Sequence, residues 1–129
     1  MAYVYAKVDS LQGTAKVGTK QCVALIQAFT TAGPTGGWTA GLAVVGNLSL
    51  AKGTAIATFV DGKYESHRTG NHAAFYISQD RGGIWVMDQW ASDVTKPKVA
   101  KRYIRPKGQL ADGKYLDPSN NANAYSVIE

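Results

Sequence analysis

HAAFYISQDRGGIWVMDQW, His72 to Trp90, is the stretch whose reading decides the fold. Two apolar runs, 72–79 and 84–90, flank the polar, glycine-bearing DRGG. β-Branched and aromatic residues bounded by turn chemistry read as two strands of a hairpin. With the turn near Arg81–Gly83, His72 and Asp88 come close to being cross-strand partners on one sheet face. Asp88 is a carboxylate in an otherwise apolar strand, and burying it without a partner carries a large penalty. The plainer alternative puts Asp88 on a solvent-facing side with Val86, opposite Trp85 and Met87, and makes His72 a strand-end histidine.

Strand character extends on both sides of this hairpin. GTAIATFV (53–60) is β-branched and aromatic, and Asp61-Gly62 closes it. KRYIR (101–105) and AYSVIE (124–129) read as two further strands, with the polar loop PKGQLADGKYLDPSNN between them. The N-terminal third is helical or loop-like. Thr19 reads as an N-cap for a helix over 20–30, in which Cys22, Leu25, Ile26 and Phe29 fall at i, i+3, i+4 and i+7. Gly33 and Pro34 end that helix, and PTGGWTAG is a turn-rich loop carrying Trp38. The expectation is one α+β domain over 1–129: N-terminal helices packed on an antiparallel sheet of about five strands.

The 129 residues suit one domain with one core, and 45% hydrophobic with 18% charged residues is an ordinary globular balance. No apolar run approaches the roughly 20 residues of a membrane helix, so membrane insertion is not expected. MAYVYAKVDS has neither the basic nor the apolar region of a signal peptide, which points to a cytoplasmic start. The net charge is +5, and Lys96, Lys98, Lys101, Arg102, Arg105 and Lys107 form a basic strip. Such a strip is either a solvated strand edge or a docking face for an anionic polymer. No nucleic-acid-binding signature accompanies it, so nucleic acid is not an expected partner.

The chain has one cysteine, which excludes an internal disulfide and a multi-cysteine zinc site. With Thr19 as N-cap, Cys22 sits at the third helical position. Unpaired N–H groups and the positive end of the helix dipole there stabilise a thiolate and an oxyanion. Gln21 adds a side-chain amide donor. A thiol nucleophile needs a base, and the base needs an orienting group. His72 and Asp88 supply them, in the order Cys, His, Asp. The plain alternative for Cys22 is a small core residue sharing a face with Ile26 and Phe29. A zinc site from Cys22, His67, His72 and Asp88 is a minor reading, because the spacing is scattered. No metal or other cofactor is expected.

GTKQCVALIQAF, GTAIATFV, GNHAAFYI and IWVMDQW together resemble the papain-like cysteine amidohydrolases and peptidases of the CHAP and NlpC type, which cut peptidoglycan peptides. The shared features are a QC pair opening a helix, a histidine opening the second strand and an acid on the third, over roughly residues 13 to 106. The departures are GNHAA for GHVA, no aspartate after Gly53, and Trp90 where an asparagine often stands. The resemblance implies a papain-like fold and amide hydrolysis through a thioester, with Cys22, His72 and Asp88 as the triad. Gln21, Trp38, His67, Gln89 and Trp90 are then expected to contact oxyanion or substrate, Trp38 and Trp90 as groove walls. It further implies a peptidoglycan peptide substrate. A compact domain of this kind looks like the small amidase toxins of type VI secretion, with export by a secretion machine and a cognate immunity protein as partner. A minimal phage endolysin of the same chemistry is the alternative, as is a binding module that keeps the fold alone.

Overall fold

The computed structural model describes residues 2–129. Among them is one α-helix, α1 (Cys22–Phe29), and six strands: β1 (Ala40–Ala43), β2 (Ala55–Thr58), β3 (Ala73–Asp80), β4 (Gly83–Asp88), β5 (Ala100–Ile104) and β6 (Tyr125–Ile128). Short 3₁₀ turns at Val8–Leu11, Thr35–Gly37, Pro118–Asn120 and Ala122–Ala124 complete the chain. The expectation of several N-terminal helices is therefore corrected to a single short helix on a larger sheet.

The strands form one antiparallel sheet in the order β1-β6-β2-β3-β4-β5. The β2–β5 meander follows the reading from sequence. The C-terminal strand does not extend it but inserts between β1 and β2. The first half of β1, Ala40 and Gly41, lies in the stretch expected to be loop: AGLA contains no β-branched residue, so nothing local marks a strand, and pairing with β6 holds it extended.

Turn chemistry behaves as the residues dictate. Asp61 and Gly62 both take positive φ, at 50° and 77°, and Val60 and Lys63 exchange both backbone hydrogen bonds (2.9 and 3.0 Å). At Asp80–Gly83 the Asp80 carboxylate accepts from the N–H groups of Gly82 (2.8 Å) and Gly83 (3.1 Å), which fixes the hairpin.

Both sheet faces are covered. Leu25 and Ile26 of α1 pack with Phe75, Ile77 and Met87 on one face, with Val8 and Leu11 from the N-terminal segment. On the other face Ile56, Tyr76, Ile84 and Val86 pack with Tyr125 and Ile104. This second layer, not helical, comes from the segments around Val44 and Ala122. It explains why β2 and the first half of β3 are buried without alternation.

A bulge between Tyr76 and Ser78 sets the geometry of the site. Beside the turn Asp80 faces Gly83 and Gln79 faces Ile84, whereas beyond the bulge Tyr76 faces Val86 and Phe75 faces Met87. Continued without the extra residue, the turn-side register would set Asp88 opposite Phe75, on the helix-covered face. The bulge moves Asp88 opposite Ala74, and so onto the face that His72 shares by strand alternation.

Candidate active site

The chain enters α1 through a tight turn. Gly18 and Lys20 take positive φ (56° and 68°), and the Lys20 N–H donates to the Val17 carbonyl (2.8 Å). A left-handed Lys20 cannot belong to the helix, so α1 starts at Cys22 with Gln21 in the cap position at an extended conformation. Cys22 is thus the first helical residue, not the third. Thr19 does not cap; its hydroxyl accepts from the Gln21 N–H at 3.4 Å. The chemical consequence expected from sequence persists, because a residue in the first turn has no helical acceptor for its N–H.

Gln89 anchors this turn from the end of β4. Its side-chain oxygen accepts from the Val17 N–H (3.0 Å), and its amide nitrogen donates to the carbonyls of Val17 (3.2 Å) and Gln21 (2.8 Å). The side chain is fully buried with its amide committed to backbone. The structure therefore corrects the expectation of a substrate contact: Gln89 ties the residues before Cys22 to the strand that carries Asp88.

His72 sits just before β3 and is fully buried. Its backbone N–H donates to the Thr58 hydroxyl (3.0 Å), and its carbonyl accepts from the Thr58 N–H (3.0 Å). Its Nε2 lies 2.8 Å from Oδ2 of Asp88. An ionised Asp88 only accepts, so Nε2 carries the proton and Nδ1 keeps its lone pair. Nδ1 is buried and has no hydrogen-bond partner among the described residues. The Trp90 ring stacks on the imidazole at 4.2 Å and 22°.

Asp88 is fully buried and carries three donors. Besides His72 it accepts from Nε of Arg102 (3.0 Å) and from Nζ of Lys96. The solvent-facing alternative for Asp88 is thereby corrected. The basic strip is largely consumed within the fold: Lys96 and Arg102 meet Asp88, Lys101 meets Asp9 (3.5 Å) and Lys107 meets Asp117 (2.7 Å).

Cys22 Sγ lies 3.8 Å from the Tyr64 hydroxyl, which accepts from the Asn71 side-chain amide (3.3 Å). Burial pushes the Cys22 thiol up. The His72 side chain, the Ala73 N–H and the Tyr64 hydroxyl outweigh burial and hold it below its usual value. Burial also holds His72 below the ordinary histidine range; Cys22 opposes this, and the charges of Arg102 and Lys96 reinforce it. Tyr64 is pushed up, first by burial and then by Cys22, so it remains a protonated donor beside the sulfur.

A cavity of about 350 Å³ opens at the sulfur, with Gln21, Cys22, Tyr64, His67, Arg68 and Asn71 on its wall. Of the expected oxyanion and substrate residues, Gln21 and His67 stand on this wall. The His67 imidazole turns to Glu65 (3.5 Å) and is largely exposed. Trp38 does not line the cavity. Its indole N–H donates to the carbonyls of Ala32 (3.2 Å) and Gly33 (3.1 Å), and its buried ring backs Tyr64 edge-on at 5.2 Å. Trp90 is likewise off the wall, with its ring taken up by His72 and Arg102. Among the described residues no three His, Cys, Asp or Glu side chains are placed to hold a metal ion, so the zinc reading has no geometric support. Nor is any helix among the described residues long and apolar enough to cross a membrane.

Sequence reasoning missed Tyr64, Asn71, Lys96 and Arg102. Tyr64 and Asn71 sit in the irregular loop between β2 and β3, and Lys96 in the one between β4 and β5. Loop positions carry no periodicity to mark them. Arg102 was visible only as one of six cations in a strip.

The model of the domesticated amidase effector 2 family matches residues 2–128. A type VI secretion amidase effector 2 protein of Salmonella typhi is 53% identical over the full length of both chains. A domesticated amidase effector 2 of Ixodes scapularis is 39% identical over 88% of this chain and 73% of its own. A solved structure described as type 6 secretion amidase effector 2 (Tae2) superposes with a TM-score of 0.93 at 53% identity, covering 98% of this chain and 94% of that one. Fold, length and sequence agree, and the chain belongs to the domesticated amidase effector 2 family.

Proposed function

We propose that the protein is a cysteine amidase that cleaves amide bonds in peptidoglycan stem peptides as an antibacterial effector delivered by type VI secretion. The names of its relatives support the amidase and secretion parts of this reading. The observation that carries the chemistry is the Cys22 thiol, which opens on a cavity with His72 beside it and Asp88 behind.

Nδ1 of His72 takes the Cys22 proton, and the thiolate attacks the substrate carbonyl carbon. The carbonyl oxygen gains negative charge and is met by the first-turn N–H of Cys22 and the side-chain amide of Gln21. His72 returns its proton to the leaving amine as the C–N bond breaks, leaving a thioester on Sγ. Water, deprotonated by His72, then attacks the thioester; the acid leaves and the thiol is restored. Asp88 holds the imidazole in the tautomer these steps need. Among the described residues Arg68 is the formally charged side chain on the cavity wall, with no carboxylate lining it, which suits a substrate bearing a free carboxyl group. A protein that must be harmless where it is made also calls for an immunity partner, which would cover the cavity mouth.

Mass spectrometry of purified muropeptides after incubation tests the reading. Wild type is expected to yield products split at one amide bond, and Cys22→Ala to yield none while retaining the wild-type melting curve. Cleavage by Cys22→Ala at the wild-type rate would refute it.

A further inference from the structure

We propose that Arg102 is a positioning residue that holds the His72–Asp88 pair from two directions at once and so presents His72 Nδ1 to Cys22; this rests on the function proposed above. Arg102 reaches in from β5, the edge strand. Its Nε meets Asp88 Oδ2 at 3.0 Å, the same oxygen that His72 Nε2 meets at 2.8 Å. Its guanidinium carbon lies 4.3 Å from the centre of the Trp90 ring, which also stacks on the His72 imidazole at 4.2 Å. Guanidinium and imidazole thus both pack on the indole, and one carboxylate oxygen of Asp88 joins them.

The guanidinium is itself locked. Nη1 donates to Asn120 Oδ1 (2.8 Å) and Nη2 to the Ser119 carbonyl (3.1 Å), so the 3₁₀ turn Pro118–Asn120 fixes its plane. A planar, multiply bonded cation resists rotation in a way that a lysine ammonium does not. Among the described residues the His72 imidazole is anchored by one hydrogen bond, that to Asp88. A ring held by one bond swings about it unless its faces are packed, and Trp90, itself in contact with Arg102, supplies that packing.

The groups facing this arrangement come from several elements. Cys22 comes from α1 and Tyr64 from the cavity loop, Asp88 from β4, Lys96 from the β4–β5 loop and Tyr125 from β6 beside Arg102. Lys16 approaches Lys96 from the N-terminal segment. Two cations against one carboxylate leave a net positive surround, which disfavours an imidazolium and keeps His72 as a base. Burial is the larger cause in the same direction.

The chain has two histidines, so His67→Ala assigns the His72 signals outright in side-chain ¹⁵N NMR. In the wild type, His72 is expected as the Nε2–H tautomer, titrating below the ordinary histidine range. Arg102→Gln is expected to raise the His72 midpoint by about one pH unit and to lower kcat about tenfold with KM nearly unchanged. Arg102→Lys is expected to restore the midpoint and not kcat, because the charge returns without the planar contact on Trp90. A folded Arg102→Gln protein with wild-type His72 midpoint, tautomer and kcat would overturn the proposal. Should that variant not fold, Arg102→Lys decides, and wild-type kcat with wild-type imidazole signals would overturn it. Absence of amide cleavage by the wild type would refute the proposed function instead, and the NMR result would still judge the clamp.

Discussion

His72 and Asp88 meet at 2.8 Å across a diagonal of the β3–β4 hairpin, because Asp88 stands opposite Ala74. A diagonal neighbour is farther away than a direct one, and only a long side chain spans the gap. Imidazole reaches, and the site directly across from His72 is left for Trp90, which stacks on it. Asp88 and Trp90, two residues apart on β4 and its extension and so on one face, therefore serve one histidine, one through its edge and one through its face.

This arrangement ranks the supporting residues. Asp88→Asn removes the anion that His72, Lys96 and Arg102 share and leaves two cations unpaired in a partly buried place. A loss of about 3–5 kcal/mol of stability is expected, with activity falling at least about a hundredfold. His67→Ala, at an exposed position, is expected to change stability by less than about 0.5 kcal/mol and activity only slightly. Thermal melts and cleavage rates of the two variants check this, and the reverse order would show that His67, not Asp88, supports the chemistry.

Acid stability follows from His72. Burial, aided by Arg102 and Lys96, holds its folded value below the ordinary 6.5. The unfolded chain takes up a proton as pH falls through 6.5, while the folded chain does not. The stability tied to this group is complete above 6.5 and declines below it, by at most about 1.4 kcal/mol per pH unit, until the folded imidazole protonates. Chemical denaturation at a series of pH values is expected to show this decline in wild type and a shallower one in His72→Gln. Parallel curves for the two proteins would contradict the assignment.

Tyr64 bears on the reactivity of the sulfur. Tyr64→Phe deletes the hydroxyl 3.8 Å from Sγ and keeps the ring that packs on Trp38 and Phe59. The fold is expected to survive. The pH midpoint for alkylation of Cys22 by iodoacetamide is expected to rise by about half a unit, equivalent to about 0.7 kcal/mol. An unchanged midpoint would show that the hydroxyl does not act on the thiolate.

Much of this was legible in the sequence where spacing or turn chemistry is local. The helix face of Cys22, Leu25, Ile26 and Phe29, the Asp61-Gly62 turn and the strands flanking DRGG all follow from near neighbours in the chain. The face shared by His72 and Asp88 was expected from counting across the turn; it is the bulge that sets Asp88 opposite Ala74 and so on that face. Long-range pairings were not legible. Nothing near Tyr125 says that β6 lies between β1 and β2, and nothing near Arg102 says that its charge is spent on Asp88. Trp38, Trp90 and Gln89 were expected at the substrate because of their place in the chain. Folding turned two of them into packing and the third into a backbone brace.

The central claim is that sulfur 22 carries the acyl group between the two half-reactions. Rapid acid quenching of enzyme mixed with excess muropeptide, followed by peptide mapping, tests it most directly. The account predicts a substrate-derived acyl adduct on the peptide containing Cys22, released by neutral hydroxylamine as a thioester must be. Product formation with that peptide unmodified at every time point, and undiminished turnover by Cys22→Ala, would contradict it.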